Sequence, residues 1–356
     1  MGCYLTDQGG GAHTITIHPS GQWLSLNTSS SGIEVVDLRN NAFTFVRKIP
    51  TAVAASAHDV FFSGDGNTMY IAGVGSTRII DVSDIFNRVP TLITTITNTP
   101  PPDQADGHQV AISHQSDVTA DGRLMVITDE KGGGLSNTAC NTSAGGAIGG
   151  ANFYALAPLA ENPSKSSGAS TTNPRKVGTW VYPRPPLGVD PLDDVLAGLG
   201  RPEPSCTIHV YRLGGNGGQS TAPAGQGNDG YDGVSRLPIN EMVSAHYGAG
   251  VWHINVTAAP GPNDDSRSTW GRTLGWSVMP GADTWSAKEY KGFVYAGDMA
   301  RGFDIYTFAQ CAGATCVDVL TSPPAPFSGT AQAGQAVQAT PPDYAESGKL
   351  VLIGGF

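Results

Sequence analysis

Apolar and polar residues alternate along this chain in short runs, and the runs recur in a fixed order. The first run of each set starts with His and ends in Gly eight residues later: HTITIHPSG from His13, HDVFFSGDG from His58, HQSDVTADG from His114 and HVYRLGGNG from His209. A fifth copy, TWSAKEYKG from Thr284, carries Thr in place of His. A second run follows the Gly: WLSLN from Trp23, MYIAG from Met69, LMVIT from Leu124, MVSAH from Met242 and FVYAG from Phe293. A third is led by a small residue, as in Gly32 with IEVVDL, Ser76 with TRIIDV, Gly150 with ANFYAL, Gly250 with VWHINV and Gly302 with FDIYTF. Counting from that small residue, positions four and six are apolar or aromatic in every copy. Such a period of two marks a strand with a buried face. A fourth run is present in LITTIT from Leu92, KVGTWV from Lys176 and TLGWSV from Thr273.

Four antiparallel strands repeated around a ring form blades, and ring closure hides their edges. The expected fold is therefore an all-β β-propeller of six or seven four-stranded blades in a single domain over 1–356. The run LVLIGGF from Leu350 and the run CYLT from Cys3 would meet in a composite closing blade. Gly/Pro-rich insertions at about 132–149, 158–175, 183–205 and 217–240, and an irregular tail at 309–349, space the repeats unevenly. The alternative is a β-sandwich, which five ordered copies of one pattern disfavour.

GIEVVDL, TRIIDVSD and GVWHINVT, each following a run such as MYIAG, resemble the LVIVD-type repeats of bacterial β-propeller proteins over about residues 11–308. The resemblance implies a propeller and a protein exported to the cell envelope or beyond. It implies no particular reaction.

Composition narrows the picture. Gly and Pro number 47 and 25, and charged residues make up 14% of the 356, against roughly 25% in an average soluble domain. Both suit short strands and polar turns. A formal net charge of −10 with no basic run argues against a nucleic-acid groove. No apolar stretch approaches the roughly 18 residues of a membrane span, and the first 30 residues hold no charged segment leading into an apolar one. Cys311 and Cys316 have the spacing of a small disulfide ring, Cys140 and Cys206 flank the longest irregular region, and Cys3 is left over. Disulfides would fit an oxidising compartment; the alternative is five free thiols in the cytosol.

The first strand of a blade lines the propeller channel, so the repeat register puts His13, His58, His114 and His209 in an arc around one mouth. Second-strand ends add Asp129, Glu130, His246, Tyr247 and Asp298, and Trp285 lies beside Thr284. Converging neutral imidazoles suit Fe, Cu or Zn, with carboxylates orienting the rings. Calcium on loop carboxylates such as Asp264 and Asp265 is the lesser cofactor. The competing explanation is architectural: a His repeated in register can serve hydrogen bonding within each blade. His18, His108 and His253 have no register partner. Asp65, Asp121 and Asn216 precede the turn glycines and read as hairpin residues. Asn27, Asn141 and Asn255 head Asn-x-Ser/Thr triplets. No Walker, dinucleotide or Gly-x-Ser-x-Gly context occurs.

Two classes of function stand. One is an exported scaffold that binds a small molecule, a protein or a cell-envelope ligand through its loop-rich face, with His246, Tyr247, Trp285 and Asp129 as contacts. The other is a metal-dependent oxidoreductase or hydrolase with metal on the four imidazoles and Glu130 or Asp298 moving protons. The repeat explanation of the His gives the scaffold precedence.

Overall fold

The computed structural model describes residues 12–28, 31–39, 43–131, 146–147, 149–182, 207–215, 237–262, 264–279, 282–290, 292–312, 315–318 and 349–355. Strands dominate, and the helices are single turns at Thr51–Ala54, Pro102–Gln104 and Pro163–Ser166. The strands form antiparallel meanders in chain order, the blade unit of a propeller. Blade 1 comprises Thr14–Ile17, Trp23–Asn27, Ile33–Asp37 and Thr44–Ile49; blade 2 comprises Asp59–Phe62, Thr68–Ala72, Ser76–Asp81 and Thr91–Thr97. Blade 3 comprises Ser113–Val118, Leu124–Asp129, Ala151–Ala155 and Arg175–Trp180; blade 4 comprises Tyr211–Leu213, Glu241–Ala245, Val251–Asn255 and Arg272–Ser277. Blade 5 comprises Thr284–Tyr290, Phe293–Asp298, Gly302–Ala312 and Thr315–Asp318.

The chain is thus an all-β protein of the β-propeller class. Its described residues form five blades, not six or seven. The C-terminal run was expected to seed a further, closing blade. As Lys349–Gly355 it pairs instead with the third strand of blade 5 along Asp304–Ala309. The fourth strand of that blade pairs only from Ala309 to Ala312, so a free edge was left for it. Residues 1–11, the other half of the expected closure, lie outside the described residues, as do most of the insertions and the tail.

The blades pack into two compact units. One holds the described parts of Met1–Asp129, Asn152–Val177 and Gly215–Val234, and the other those of Glu130–Ala151, Gly178–Gly214 and Ser235–Phe356. In the first unit, alternation along each strand feeds two cores. Met69, Ile71 and Ile80 of blade 2 pack with Trp23, Ile33, Val35 and Ile49 of blade 1. Their neighbours Tyr70 and Ile79 point the other way, to Val118, Met125, Ile127 and Tyr154 of blade 3. Each such side chain adds about 1.5–3 kcal/mol by leaving water. In the second unit Val243, Ala245 and Val251 of blade 4 meet Ala287, Val294, Ala296, Tyr306 and Phe308 of blade 5.

Turn chemistry explains the glycines that end the first runs. Asp65 Oδ1 accepts from Ser63 Oγ and Asn67 N, and Asp121 Oδ1 accepts from Thr119 Oγ1 and Arg123 N. Gly66 and Gly122 then take φ of +74° and +70°, which costs a glycine nothing. The small residue leading each third strand has a different cause. A Cβ on Gly32, Gly150 or Gly250 would lie 2.2 Å from the carbonyl oxygen of Ile49, Trp180 or Ser277, the end of the blade's fourth strand.

Candidate functional site

In the first unit the imidazoles of His13, His58 and His114 stand in a row. Ring centroids are 4.1 Å apart between His13 and His58, and 4.3 Å between His58 and His114. Each ring sits at the head of a first strand. The backbone N–H of His13 donates to Asn27 O and that of His58 to Ala72 O, both at 2.7 Å, extending the ladder by one residue. Neighbouring first strands are then tied together by side chains. Thr14 Oγ1 donates to His58 O at 2.6 Å, and Thr16 Oγ1 to Val60 O at 2.9 Å. These threonines were read from sequence only as strand residues; the alternating Thr of TITI was the available signal.

His58 Nδ1 donates to the carbonyl of His114 at 3.1 Å. A carbonyl can only accept, so the proton sits on Nδ1 and the neutral ring presents a bare Nε2 lone pair. Burial, and then the charge of His13, push the His58 imidazole down to about 4, against the raising effect of the His114 carbonyl. The ring is therefore neutral at physiological pH. His58 and His114 hold ring nitrogens within 4.8 Å of one another, within reach of a shared ion at metal–nitrogen distances of about 2.0–2.1 Å after a small adjustment.

In the second unit His209 repeats the same bond. Its Nδ1 donates to Trp285 O at 2.6 Å, and its Nε2 lies 3.6 Å from Glu130 Oε1. The Tyr247 hydroxyl donates to that same carboxylate oxygen. Burial, and then this bond to Glu130, raise the Tyr247 phenol well above its ordinary value. His209, Tyr247 and Trp285 pack as rings, with His209 to Trp285 at 4.1 Å and Tyr247 to Trp285 nearly perpendicular at 88°. Glu130, Tyr247, His209 and Trp285 are thus brought together in the second unit, and His13, His58 and His114 stand in a row in the first.

One register assignment is corrected. Thr284 was aligned with the repeated His, but bulges fall at Ser113–Ser116 in blade 3 and at Thr284–Ser286 in blade 5. Each bulge adds a residue to the strand head. Ser113 and Thr284 therefore correspond, facing Asp129 and Asp298, and Trp285 takes the place of His114. The carbonyls that receive His58 and His209 are accordingly those of His114 and Trp285.

Asp129 and Asp298 hold this head in place. Asp129 Oδ1 accepts from Ala111 N and Ile112 N. Asp298 accepts from Asp283 N and Thr284 Oγ1 on one oxygen and from Ala300 N and Arg301 N on the other. Both oxygens of Asp298 are occupied with shaping the loop, which suits a support better than a proton carrier. His246 is fully buried, bonded through Nε2 to Ser244 Oγ at 2.9 Å and set beside Trp180, Tyr182 and Trp252. It lies in an aromatic core, apart from Tyr247's contacts.

The unregistered histidines have local partners. His18 stacks on Trp23 and bonds Gly66 O, His253 pairs with Glu241 at 2.6 Å, and the His108 carbonyl accepts from Lys176 Nζ. Asp264 accepts from Gly261 N and Thr273 N, and Asp265 binds Arg267, so these carboxylates serve their own loop. Asn27 is fully buried, which rules out a glycan there. The backbones of Cys311 and Cys316 are register partners; the side chains of all five cysteines, and the disulfides drawn between them, lie outside the described residues.

No protein-family model and no curated protein matches the chain. Solved structures similar to it include a β-propeller domain from Myceliophteria thermophila, at 8% identity and a TM-score of 0.44 over 82% of this chain and 67% of that one. A protein from Lactobacillus plantarum is similar at 11% identity and a TM-score of 0.44, over 83% of this chain and 67% of that one.

Proposed function

We propose that this chain is an exported binding propeller whose recognition centre is the imidazole row His13–His58–His114, and that the row takes a first-row transition-metal ion. The observation that carries the reading is the bond from His58 Nδ1 to the His114 carbonyl. It fixes the tautomer, aims Nε2 away as a ligand and leaves the ring neutral, the arrangement in which metal-binding imidazoles are held by a carbonyl on their other nitrogen. His114 supplies the second nitrogen and His13 the third ring of the row. Neutral nitrogen donors favour Cu, Zn or Fe over Mg or Ca. Export is supported by the resemblance to LVIVD-type repeats.

The test is metal analysis of freshly purified protein together with calorimetric titration of the metal-stripped chain by Zn²⁺ and Cu²⁺. The expected result is binding near one equivalent, weakened at least about tenfold in His58→Ala and in His114→Ala, in line with the loss of one ligand. Metal-free protein that takes up neither ion, or uptake unchanged in a variant carrying both His58→Ala and His114→Ala, overturns the reading.

A further inference from the structure

A concavity lies within the first unit, between the outer strand of blade 2 and the loops beside blade 3. Its volume is about 270 Å³, near the lower end of the roughly 300–1,000 Å³ of small-molecule sites. No charged side chain lines it. Its walls are Thr94, Thr95, Thr97 and Thr99 from the blade 2 edge, Gln104 and Tyr154, and the rings of Pro100, Pro101 and Pro174 with Asn173.

Tyr154 is the observation that points to a ligand. Its ring is held in the core between blades 2 and 3, with the residue 2% exposed. Its hydroxyl bonds to none of the described residues, although the residue lines the cleft. A phenol held by a buried ring, with its hydroxyl not taken by the fold, is a ready hydrogen-bonding group for a molecule in the cleft. Other groups around it are similarly ready. Gln104 Oε1 is taken by Lys176 N at 2.7 Å, which fixes the amide and leaves its NH₂ for the cleft. Asn173 Nδ2 donates to Gly168 O, leaving its Oδ1. The hydroxyls of Thr94 and Thr95 bond to none of the described residues.

We infer that this cleft binds a neutral, hydroxyl-rich small molecule, a mono- or disaccharide. Donors and acceptors of both kinds converge without any formal charge, which matches a sugar's hydroxyls and offers nothing to a phosphate or a carboxylate. Pro100, Pro101 and Pro174 give apolar surface for the C–H faces of a pyranose ring. The site shares no residue with the imidazole row, so the two readings stand or fall separately.

The experiment is saturation-transfer NMR on the full chain with glucose, galactose, N-acetylglucosamine, maltose and cellobiose, followed by titration of whichever binds. Glucuronate and a neutral proline-rich decapeptide serve as comparisons. The expected result is transfer to at least one neutral sugar, with affinity lowered about three- to tenfold by Tyr154→Phe, the worth of one neutral hydrogen bond, and further by Tyr154→Phe with Gln104→Leu. Phe keeps the buried ring, so folding is preserved, and an unchanged melting temperature in Tyr154→Phe checks that. No transfer from any of the five sugars, binding indifferent to the double substitution, or preference for the peptide overturns the inference.

Discussion

Tyr247 and Thr284 exchange two backbone hydrogen bonds of 2.9 Å each. Tyr247 does so with φ of +46°, a left-handed conformation rare for a bulky residue. In the other unit Val74 and Ser113 make the same bridge, and Val74 has φ of +61°. The second residue after a second strand is therefore turned left-handed to meet the head of the next blade. At one such position the chain carries a valine, and at the other a tyrosine whose hydroxyl holds Glu130.

The two positions should respond oppositely to substitution. Val74 is β-branched and bears the left-handed strain of about 1–2 kcal/mol without an evident polar role. Val74→Asn, a residue that tolerates this conformation, is expected to raise stability by about 0.5–1 kcal/mol. Tyr247→Phe keeps backbone and ring but removes a donor from a buried carboxylate, at an expected cost of about 1–3 kcal/mol. Urea unfolding midpoints compare them; no loss of stability in Tyr247→Phe would show that the backbone bridge, not the hydroxyl, sets the value of Tyr247.

Much of this was legible in the sequence, for a physical reason. Strands buried on both faces, as in Met69–Tyr70–Ile71, still alternate between two different cores, so the period survives and the repeat can be counted. The heads of the first strands were legible too, because His13, His58 and His114 each stand eight residues before the Gly that ends the run. What failed was phase at the turn of blade 5. Its first hairpin closes from Tyr290 to Phe293, a shorter turn than the one from Thr119 to Leu124 in blade 3, so counting back from the turn Gly landed on Thr284 and Trp285 was not recognisable as the counterpart of His114. The blade number failed because an edge strand such as Lys349–Gly355 has the same pattern whether it starts a blade or extends one. Tyr154 was hidden for a simpler reason: an aromatic residue in a strand reads as core, and only the open cleft beside its hydroxyl distinguishes it.

The leading glycines of the third strands give a second prediction. Gly250 combines φ of +74° with a Cβ position 2.2 Å from Ser277 O. Gly250→Ala should cost about 2–5 kcal/mol, adding left-handed strain of about 1–2 kcal/mol to overpacking of about 1–3 kcal/mol. Gly21 has φ of +67° and open space around its Cβ position, so Gly21→Ala should cost only the strain. A difference between the two in denaturant unfolding isolates the clash; equal losses would mean that the fourth strand of blade 4 gives way.

Lys176 and Asp106 make the third case. Their side chains are each 1% exposed, joined at 2.7 Å, and Lys176 Nζ also donates to His108 O at 2.9 Å. Burial lowers the Lys176 ammonium's pKa, and the Asp106 charge works against that. Removing one partner strands the other charge, so Lys176→Met should destabilise the fold by about 3–5 kcal/mol. Lys176→Met with Asp106→Leu should lose clearly less than Lys176→Met alone, since no buried charge is left unpaired. A double variant less stable than either single one would show that the pair contributes net attraction.

The His58 imidazole links stability to pH, and the sign follows from its surroundings. In the unfolded chain it titrates near 6.5 and in the fold near 4, so between those values the unfolded state binds a proton that the folded state refuses. Stability is therefore at its full value above about pH 7, falls as the pH drops from 6.5 towards 4, and levels off below. His18, lowered in the same direction mainly by burial, adds to the slope. His58→Gln removes the titration while keeping a polar side chain at the row. It should flatten the fall in melting temperature between pH 6.5 and 4 without abolishing it, because the His18 share persists. An unchanged pH slope in that variant would mean that the His58 ring takes up its proton in the fold as readily as in the unfolded chain. The neutral, Nε2-presenting imidazole on which the metal reading stands would then be lost.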